Sequence, residues 1–376
     1  MQAWCARPAW AAAAATLLLA SAVPPAAAAI VEEGEYSTLW GKDGEFWKPD
    51  GRLPDFSFAG YKQGNEPLPS PLVTRSILDF RQPGMNDTAM FAAAFDWANS
   101  QPLQEEGYLV LGIPAGSYSL ESRFYIRRSR TIVRGAGRGA TILNFPKSLS
   151  QLYGPSPAEI PGGYVNAGAF ISLEGSPRVL GPLLAEVSEP ANKGDTSVRV
   201  MDASQLAVGQ YVDVWFDGEW ELPEKYANNT QVKLTTKIVD IQDDVVTFER
   251  HLPYSIEPGF VNDVAIRALP DTVHDSAVEG LTFAFAWELY GGHHLEKGWC
   301  AVEFHDVYNC WARNIGTINA DNTVVINGAF GITVSDVLIE RTASRQNSIP
   351  NNFSEPANYD GHWGLSLQHA APCSHL

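Results

Sequence analysis

The sequence has 376 residues, enough for two or three globular domains, and 45% of them are hydrophobic, which excludes a disordered chain. Only 18% are charged, and 32 glycines and 25 prolines indicate many turns, so strand-rich structure is favoured over long surface helices. The net charge of −17 disfavours nucleic acids and anionic membranes as general partners.

Residues 1–29 have the pattern of a secretory signal peptide. Arg7 precedes the apolar run Trp10–Val23, which is shorter than the roughly 20 residues that span a bilayer, and an Ala-x-Ala site ends at Ala28 or Ala29. An uncleaved anchor is the alternative. We expect a secreted protein, extracellular or associated with the cell wall, with no membrane partner after cleavage.

An exported chain can be glycosylated, and three potential glycosylation sequons begin at Asn86, Asn228 and Asn352. Cleavage would also remove Cys5 and leave a small, odd set of cysteines, which excludes a disulfide scaffold. Cys300 and Cys310 are expected to be buried thiols, with a bond between them as the alternative.

The N-terminal half divides into an arm and a series of short strands. Residues 30–75, rich in glycine, proline and aromatic residues, predict an extended arm lying on a larger body. Ser76–Phe80 reads as a short strand, and Asn86 or Asp87 then caps a helix with one apolar face. That face consists of Met90, Phe91, Ala94, Phe95 and Ala98.

Short strands broken by glycine and proline follow within residues 76–184. They are predicted at Tyr108–Ile113, Ser117–Leu120, Thr131–Val133, Thr141–Phe145 and Ala169–Leu173. Residues 185–266 predict a small inserted antiparallel domain, in which Gln242–Asp244 connects two strands as a hairpin.

Residues 267–376 contain a repeat with an offset of 22 residues. Phe304 aligns with Ile326 and Cys310 with Ile332, and Leu367 continues the register after a further 41 residues, which include a long loop. Apolar residues at alternate positions in such a repeat predict the coils of a parallel β-helix, whereas the ladder of a leucine-rich repeat is missing. No polar cap follows the last predicted strand, so a shortened, inactive form is a further expectation.

The segment Val133–Leu143 (VRGAGRGATIL) resembles the turn between early coils of the pectate-lyase-like superfamily. The strand, turn and helix between Ser76 and Ala98 are also similar to that family's opening, although Arg81–Met85 replaces its usual glycine-rich turn. The resemblance covers about residues 76–180 and 267–376. It implies an all-β, right-handed, single-stranded parallel β-helix with a short N-terminal capping helix, in a secreted protein that acts on polysaccharide.

Two long loops leave the repeat at equivalent places, after Phe283 and after Ile339, and should flank a cleft. Elimination across a uronate needs a cation or Ca²⁺, a base and an acid. The candidate catalytic residues are Lys297, His294, Arg341, Asp321 and His362. The candidate substrate-binding residues are Trp287, Tyr290, Glu296, His305 and Tyr359.

Hydrolysis would instead need two carboxyl groups about 5 Å or about 6.5–9.5 Å apart, for which Glu296, Asp321 and Asp360 are candidates. Asp321 and Asp360 are also the candidate Ca²⁺ ligands. For each of these residues, hydrogen bonding within a loop is the structural alternative.

A second candidate surface is the outward side of the repeat, where a polar groove floor would form unless the face is simply solvated. Its residues are Glu303, His305, Asn327, Ser366 and Gln368. The basic run Arg123–Lys147 would either bind a carboxylated sugar or balance the acidic remainder of the chain. A polysaccharide lyase is therefore predicted slightly ahead of a glycosidase, with a non-catalytic glycan-binding protein as the other alternative.

Overall fold

The computed structural model describes residues 36–368, except residues 54, 105, 155–167, 176–180, 218–230, 257–261, 270–271, 292–294, 351–355, 358–360 and 362. The predicted signal peptide and the sequons at Asn228 and Asn352 lie outside the described residues. Within the described part, no helix has the length and hydrophobicity needed to cross a bilayer.

Helices α1 (Asp87–Ser100) and α2 (Leu149–Tyr153) accompany a set of mostly short strands. The strands are β1 (Arg75–Ser76), β2 (Leu109–Ile113), β3 (Gly116–Ser119), β4 (Phe124–Ile126), β5 (Thr131–Gly135), β6 (Thr141–Phe145), β7 (Ile171–Glu174), β8 (Leu183–Glu186), β9 (Ser197–Arg199), β10 (Tyr211–Asp217), β11 (Gln231–Gln242), β12 (Val245–Phe248), β13 (Asn262–Ala268), β14 (Ala277–Phe285), β15 (Cys300–His305), β16 (Trp311–Ile318), β17 (Asn322–Asn327), β18 (Thr333–Glu340), β19 (Asn347–Pro350), β20 (Pro356–Ala357) and β21 (Trp363–Gln368).

Two parallel sheets give the protein a β-helix-like architecture. The first parallel sheet has the order β1-β2-β5-β14-β16-β18, with β3 and β6 joined to β14, and the second has the order β4-β7-β15-β17-β21. From β14 onward the chain alternates between the two sheets, so that each coil adds one strand to each. The main apolar core gathers residues of both sheets and of α1.

The pairing register confirms the predicted repeat. Cys300 pairs with Asn322, and Asn322 pairs with Trp363, which are the offsets of 22 and 41 residues. Phe304 and Ile326 stack in the core, whereas Leu367, in the same register, is 47% exposed. Cys300 and Cys310 are buried thiols without a disulfide, and burial raises the pKa of both.

The predicted strand Ser76–Phe80 is wrong beyond its first residue. Residues Ile77–Phe80 form a 3₁₀ turn, because the Ser76 hydroxyl accepts a hydrogen bond from the Leu78 amide and the Asp79 carboxylate accepts one from the Ser76 amide. Helix α1 begins after Asn86, whose side chain accepts from the Ala89 amide at 2.8 Å. Its buried residues are the five predicted for its apolar face.

The glycine-rich segment between β5 and β6 is a tight turn rather than a phosphate loop. A Cβ on Gly135 would lie 2.2 Å from the carbonyl oxygen of Gly280 on the next coil. The Gly137 amide donates to the same carbonyl at 2.8 Å. Glycine is required because two backbones meet here without room for a side chain.

An antiparallel sheet is formed by residues 183–268, in the order β8-β13-β10-β11-β12-β9, and it has its own apolar core. Strands β11 and β12 form the predicted hairpin, in which Gln242 pairs with Val245. Asp243 adopts a positive φ of 52° in the two-residue turn, as such hairpins require.

Residues 61–74 lie against the outer face of the first parallel sheet. Tyr61 is buried against Trp311, with ring centroids 5.1 Å apart, and its hydroxyl lies 3.0 Å from that of Tyr108. The carbonyl of Pro71 accepts from Arg134 on β5. Residues 36–46 form a separate unit with a bridge between Ser37 and Gly41.

Candidate functional site

The outer face of the second parallel sheet carries a run of polar residues in register, which we call the polar ladder. Val302 and Phe304 point into the core, so the alternate residues Glu303 and His305 face outward, as predicted. The ladder comprises Tyr125, Ser172, Glu174, Glu303, His305, Asn327 and Ser366, with the buried Val325 between Glu303 and Ser366 in the pairing register. Strands of a parallel sheet hold these side chains at fixed spacing.

Glu303 is the most enclosed acid of the polar ladder, with a side chain that is 2% exposed. Its Oε2 accepts from the Ser172 hydroxyl at 3.1 Å and lies 3.9 Å from an Arg123 guanidinium nitrogen. Its Oε1 accepts no hydrogen bond and lies 3.9 Å from Nδ1 of His305. A buried carboxylate oxygen without a donor is uncommon and calls for an explanation.

His305 lies between two carboxylates, because its Nε2 is 3.2 Å from the Asp306 carboxylate and its Nδ1 faces Glu303. Asp306 follows β15 with a positive φ of 48°. A Cβ on Gly328 of the next coil would lie 2.1 Å from Oδ1 of Asp306. The adjacent coil therefore leaves space for the Asp306 side chain beside the imidazole.

Two arginines complete the cluster. The Arg123 guanidinium donates to the Ala169 carbonyl at 3.1 Å, and Arg127 forms an ion pair with Glu174 at 2.7 Å. Both guanidinium groups lie over the ring of Tyr125, at 5.1 and 4.3 Å from its centroid. Burial raises the pKa of Tyr125 above its ordinary value, so its phenol stays protonated at neutral pH.

Side-chain exposure falls across the cluster from 55% for Arg127 to 15% for His305 and 2% for Glu303. Cations, an imidazole flanked by carboxylates and a protonated phenol thus share one face of a rigid sheet. These groups can bind a carboxylate, exchange a proton and contact a sugar ring.

The remaining members of the basic run Arg123–Lys147 have other partners. Arg128 is buried and donates to the carbonyls of Gln101 and Pro102. Arg134 pairs with Glu279 and donates to the Pro71 carbonyl. The others make ion pairs or backbone contacts with Gln104, Asp336 and Glu121.

The two predicted loops are in contact rather than separated by a cleft, as far as residues 286–291 and 341–346 show. Arg345 is 1% exposed and donates to the Glu288 carbonyl, to the carbonyls of Asn319 and Ala320, and to the Asp321 carboxylate at 2.8 Å. The Tyr290 amide donates back to the Arg345 carbonyl at 2.8 Å. Arg345 fills the space in which the cleft was expected.

Asp321 and Glu296 are enclosed by this contact. Asp321 accepts from Arg345 and from the Trp299 amide, and its burial raises its pKa despite the arginine. Glu296 is 1% exposed and accepts a short hydrogen bond from Tyr290. These contacts favour structural roles for Asp321, Glu296 and Tyr290. The roles predicted for them were catalysis and metal binding for Asp321, and substrate binding for Glu296 and Tyr290.

Three other predicted residues lie at the surface of the loops. Lys297 pairs with Glu288 at 3.0 Å, and Trp287 is 47% exposed and donates to the Ala343 carbonyl at 3.4 Å. Arg341 is exposed directly after β18. His294, Tyr359, Asp360 and His362 lie outside the described residues, so their roles stay predictions.

No group of three or more histidine, cysteine, aspartate or glutamate side chains among the described residues is arranged to hold a metal ion. The predicted Ca²⁺ ligand Asp321 faces Arg345, and its carboxylate already accepts from within the protein. The described residues therefore do not fit a Ca²⁺ site at Asp321.

Sequence reasoning missed Tyr125, Glu174 and Asp306. Glu174 lies one position beyond the predicted end of its strand at Leu173. The offset of 22 residues would have aligned Asp306 with Gly328, a small residue that leaves room for a side chain. No comparable repeat links Tyr125 to β15, because the antiparallel sheet separates them in the chain.

No protein-family model matches the sequence, and no curated protein matches it. Among solved structures, the chain is similar to the tailspike protein gp49 from Pseudomonas phage LKA1, with 13% identity over 69% of this chain and 37% of that one, at a TM-score of 0.41. It is also similar to the Pseudomonas phage phi297 tailspike gp61, with 14% identity over 68% and 42%, at a TM-score of 0.41. The Gp54 tailspike of Acinetobacter baumannii bacteriophage AP22, in complex with A. baumannii capsular saccharide, has 12% identity over 73% and 48%, at a TM-score of 0.39.

The chain spans less than half of the length of these three structures. The resemblance to the pectate-lyase-like superfamily stays a prediction at the level of the particular family.

Proposed function

We propose that this protein is a secreted polysaccharide-processing enzyme that cleaves a uronate-containing glycan by β-elimination on the polar ladder. The observation that carries the proposal is the convergence of Arg123, Arg127 and a carboxylate-flanked His305 on one sheet face. A fold that supplies a long rigid face suits a polymeric substrate.

Each step of an elimination has a candidate among these residues. Arg123 and Arg127 bind the uronate carboxylate and neutralise its charge, which makes the C5 proton more acidic. His305 takes the C5 proton, the freed electron pair forms the C4–C5 double bond, and the C4–O bond breaks. Tyr125 is the proton donor to the leaving oxygen, because a tyrosine phenol is protonated at neutral pH.

Hydrolysis is the second candidate, and it is favoured by the enclosed Oε1 of Glu303. Because one imidazole ring contacts both Glu303 and Asp306, their carboxylates lie within about 10 Å of each other, near the range of about 5–9.5 Å that paired glycosidase carboxyls use. Glu303 and Asp306 would be the pair of carboxyl groups that hydrolysis needs. A non-catalytic glycan-binding protein would use the same face without either reaction.

The test is incubation of the purified chain with polygalacturonate, alginate, hyaluronan and a neutral glucan, following ultraviolet absorbance and reducing ends together. Elimination produces both an unsaturated absorbing product and a reducing end, whereas hydrolysis produces only the reducing end. We expect absorbance to rise with a uronan and His305→Gln to lower the rate by about 10²- to 10⁴-fold, as removal of a general base does.

The conservative variant Lys237→Gln, on the antiparallel sheet, is the charge-changing control and should retain full activity. Reducing ends without absorbance, lost in Glu303→Gln, would replace elimination with hydrolysis. Saturable binding with neither product, from a chain with native circular dichroism, would leave only the glycan-binding alternative.

The proposal includes three features of organisation. Secretion would follow removal of residues 1–29. Helix α1 would serve as the cap of the β-helix, which is supported by its apolar face on the main core. Residues 185–266 would form the inserted domain, which is supported by the separate core of the antiparallel sheet.

Two loop residues are proposed as additional substrate contacts. Lys297 and Arg341 are both exposed, on the loops that connect the two parallel sheets. We propose them as contacts for a second uronate of a bound chain, outside the polar ladder. Their substitution by glutamine should raise KM for a polymer and leave kcat unchanged.

A further inference from the structure

A pocket of about 230 Å³ lies between residues 47–55 and the antiparallel sheet. Trp47, Pro49 and Arg52 line it from the first side, and Lys193 and the segment Arg250–Tyr254 line it from the second. The pocket shares no residue with the polar ladder.

The two walls are held together by close packing. Gly194 lies so near Pro49 and Asp50 that a Cβ on it would stand 2.8 Å from the Asp50 amide nitrogen. The Trp47 indole donates to the Leu53 carbonyl at 3.2 Å, which fixes the ring at the pocket wall. A pocket with fixed walls is preorganised for a ligand.

The charge of the pocket is opposite to that of the chain. Arg52, Lys193 and Arg250 line it, against one acid, Asp55, in a protein whose net charge is −17. Arg250 is 6% exposed and is fixed by donation to the Thr235 carbonyl at 2.8 Å. A local concentration of cations in an acidic protein favours an anionic ligand.

The pocket also offers an apolar wall and a polar atom without a hydrogen bond. Trp47 and Tyr254 supply aromatic surface, and His251 packs edge-on against Trp47 with ring centroids 5.5 Å apart. Nδ1 of His251 is buried and makes no hydrogen bond, and it lies 3.7 Å from the Asp55 carboxylate. A hydrogen bond to a ligand hydroxyl or carboxylate would satisfy this nitrogen.

From these features we infer that the pocket binds a single acidic sugar residue, with the ring against Trp47 and the carboxylate toward Lys193 and Arg52. Its volume is below the roughly 300 Å³ at which pockets for drug-sized ligands begin, so it accommodates one ring rather than a polymer segment. The inference does not rest on the proposed function, because the polar ladder is a separate surface.

Isothermal titration of the full chain with D-galacturonate, D-glucuronate, D-galactose and sodium sulfate tests the inference. We expect a uronate to bind more tightly than galactose, which lacks the carboxylate, and more tightly than sulfate, which lacks the ring. Lys193→Gln should weaken uronate binding by about tenfold, since hydrogen bonds to charged groups contribute this much or more. Trp47→Ala should weaken it further, and Lys237→Gln, outside the pocket, should not change it.

The variant His305→Gln separates this site from the polar ladder. Uronate binding that survives in His305→Gln and weakens in Lys193→Gln supports the pocket. Binding lost in His305→Gln and retained in Lys193→Gln would assign the sugar to the polar ladder and overturn the inference. Equal affinity for galactose and the uronates, equal affinity for sulfate, or no binding by a folded chain would overturn it as well.

Discussion

Arg123 reaches Glu303 by passing over Gly168, where no side chain stands in its way. A Cβ on Gly168 would lie 2.4 Å from a guanidinium nitrogen of Arg123, and the glycine has a positive φ of 88°. The position of the Arg123 guanidinium beside the polar ladder therefore depends on Gly168, a residue without a side chain. A methyl group at this position would displace the guanidinium, whose Nε donates to the Ala169 carbonyl.

We expect Gly168→Ala to reduce uronan cleavage about as strongly as Arg123→Gln does. The matched control is Gly209→Ala, because Gly209 has the same φ of 88° and nothing within 4 Å of its Cβ position. Both alanines carry the strain of about 1 kcal/mol for a positive φ, so only the displacement of Arg123 differs. Equal activity of the two variants, measured as kcat/KM, would contradict this account of Arg123.

At the scale of elements, Arg345 joins two loops and a turn that are distant in the chain. It links Glu288, the turn Asn319–Ala320 and Asp321, and nearly all of its side chain is buried. Asp321 has a raised pKa because its burial outweighs the attraction of the arginine. Removal of the arginine alone would leave a buried acid without its counter-charge.

Arg345→Met should lower the free energy of unfolding by about 3–5 kcal/mol, the cost of breaking a buried pair. The double variant Arg345→Met with Asp321→Asn should recover part of this loss, because no buried charge then remains. Lys297→Gln is the control on the same loops, and it should cost less than about 1 kcal/mol, since that ion pair is exposed. Urea unfolding measures all three, and an additive double variant would argue against coupling.

Strands β15 and β17 show which part of the fold could be predicted from the sequence. The register of Phe304 with Ile326 was predictable because apolar residues that recur at a fixed offset must share one core ladder. The outward positions of Glu303 and His305 follow from that register. The enclosure of Asp321 was not predictable, because it depends on Arg345, which arrives from a loop with no fixed offset.

Local hydrogen bonds set a second limit on prediction. Ser76–Phe80 has the apolar content of a strand, yet the side chains of Ser76 and Asp79 satisfy nearby amides and start a 3₁₀ turn. The predicted polar groove floor lacked Tyr125 and Glu174 for a different reason. Their coils precede the antiparallel sheet, and parallel pairing across so long an interruption leaves no repeat in the sequence.

At the scale of the whole molecule, the outer faces of the two parallel sheets differ. Residues 61–74 lie against the first, where Glu279 accepts from Arg134, Trp311 and Arg313, and Arg134 also donates to the Pro71 carbonyl. The second presents the polar ladder. The outer face of the first sheet thus forms a further apolar cluster around Tyr61. The outer face of the second sheet carries ionisable groups on an equally rigid frame.

Buried and partly buried tyrosines make the stability of the fold depend on alkaline pH. Burial is the largest cause of a raised pKa in each of them, and the Asp275 carboxylate contributes for Tyr61, Tyr108, Tyr211 and Tyr308. The full set is Tyr61, Tyr108, Tyr118, Tyr125, Tyr211 and Tyr308. In the unfolded chain these phenols lose their protons near pH 10, whereas in the folded chain their raised pKa values keep them protonated to higher pH.

Above about pH 10 the unfolded state therefore binds fewer protons than the folded state, and stability falls as pH rises toward the folded pKa values. Each fully shielded tyrosine steepens this fall by at most about 1.4 kcal/mol per pH unit. We expect tyrosinate absorbance and loss of circular dichroism to appear together in an alkaline titration. Tyr308→Phe should move the midpoint to higher pH, because one phenol that ionises only on unfolding is removed. Tyr36→Phe should not move it, because Tyr36 is 47% exposed. Full tyrosinate absorbance from a chain that is still folded would mean that these phenols are open to solvent and that their burial does not govern alkaline stability.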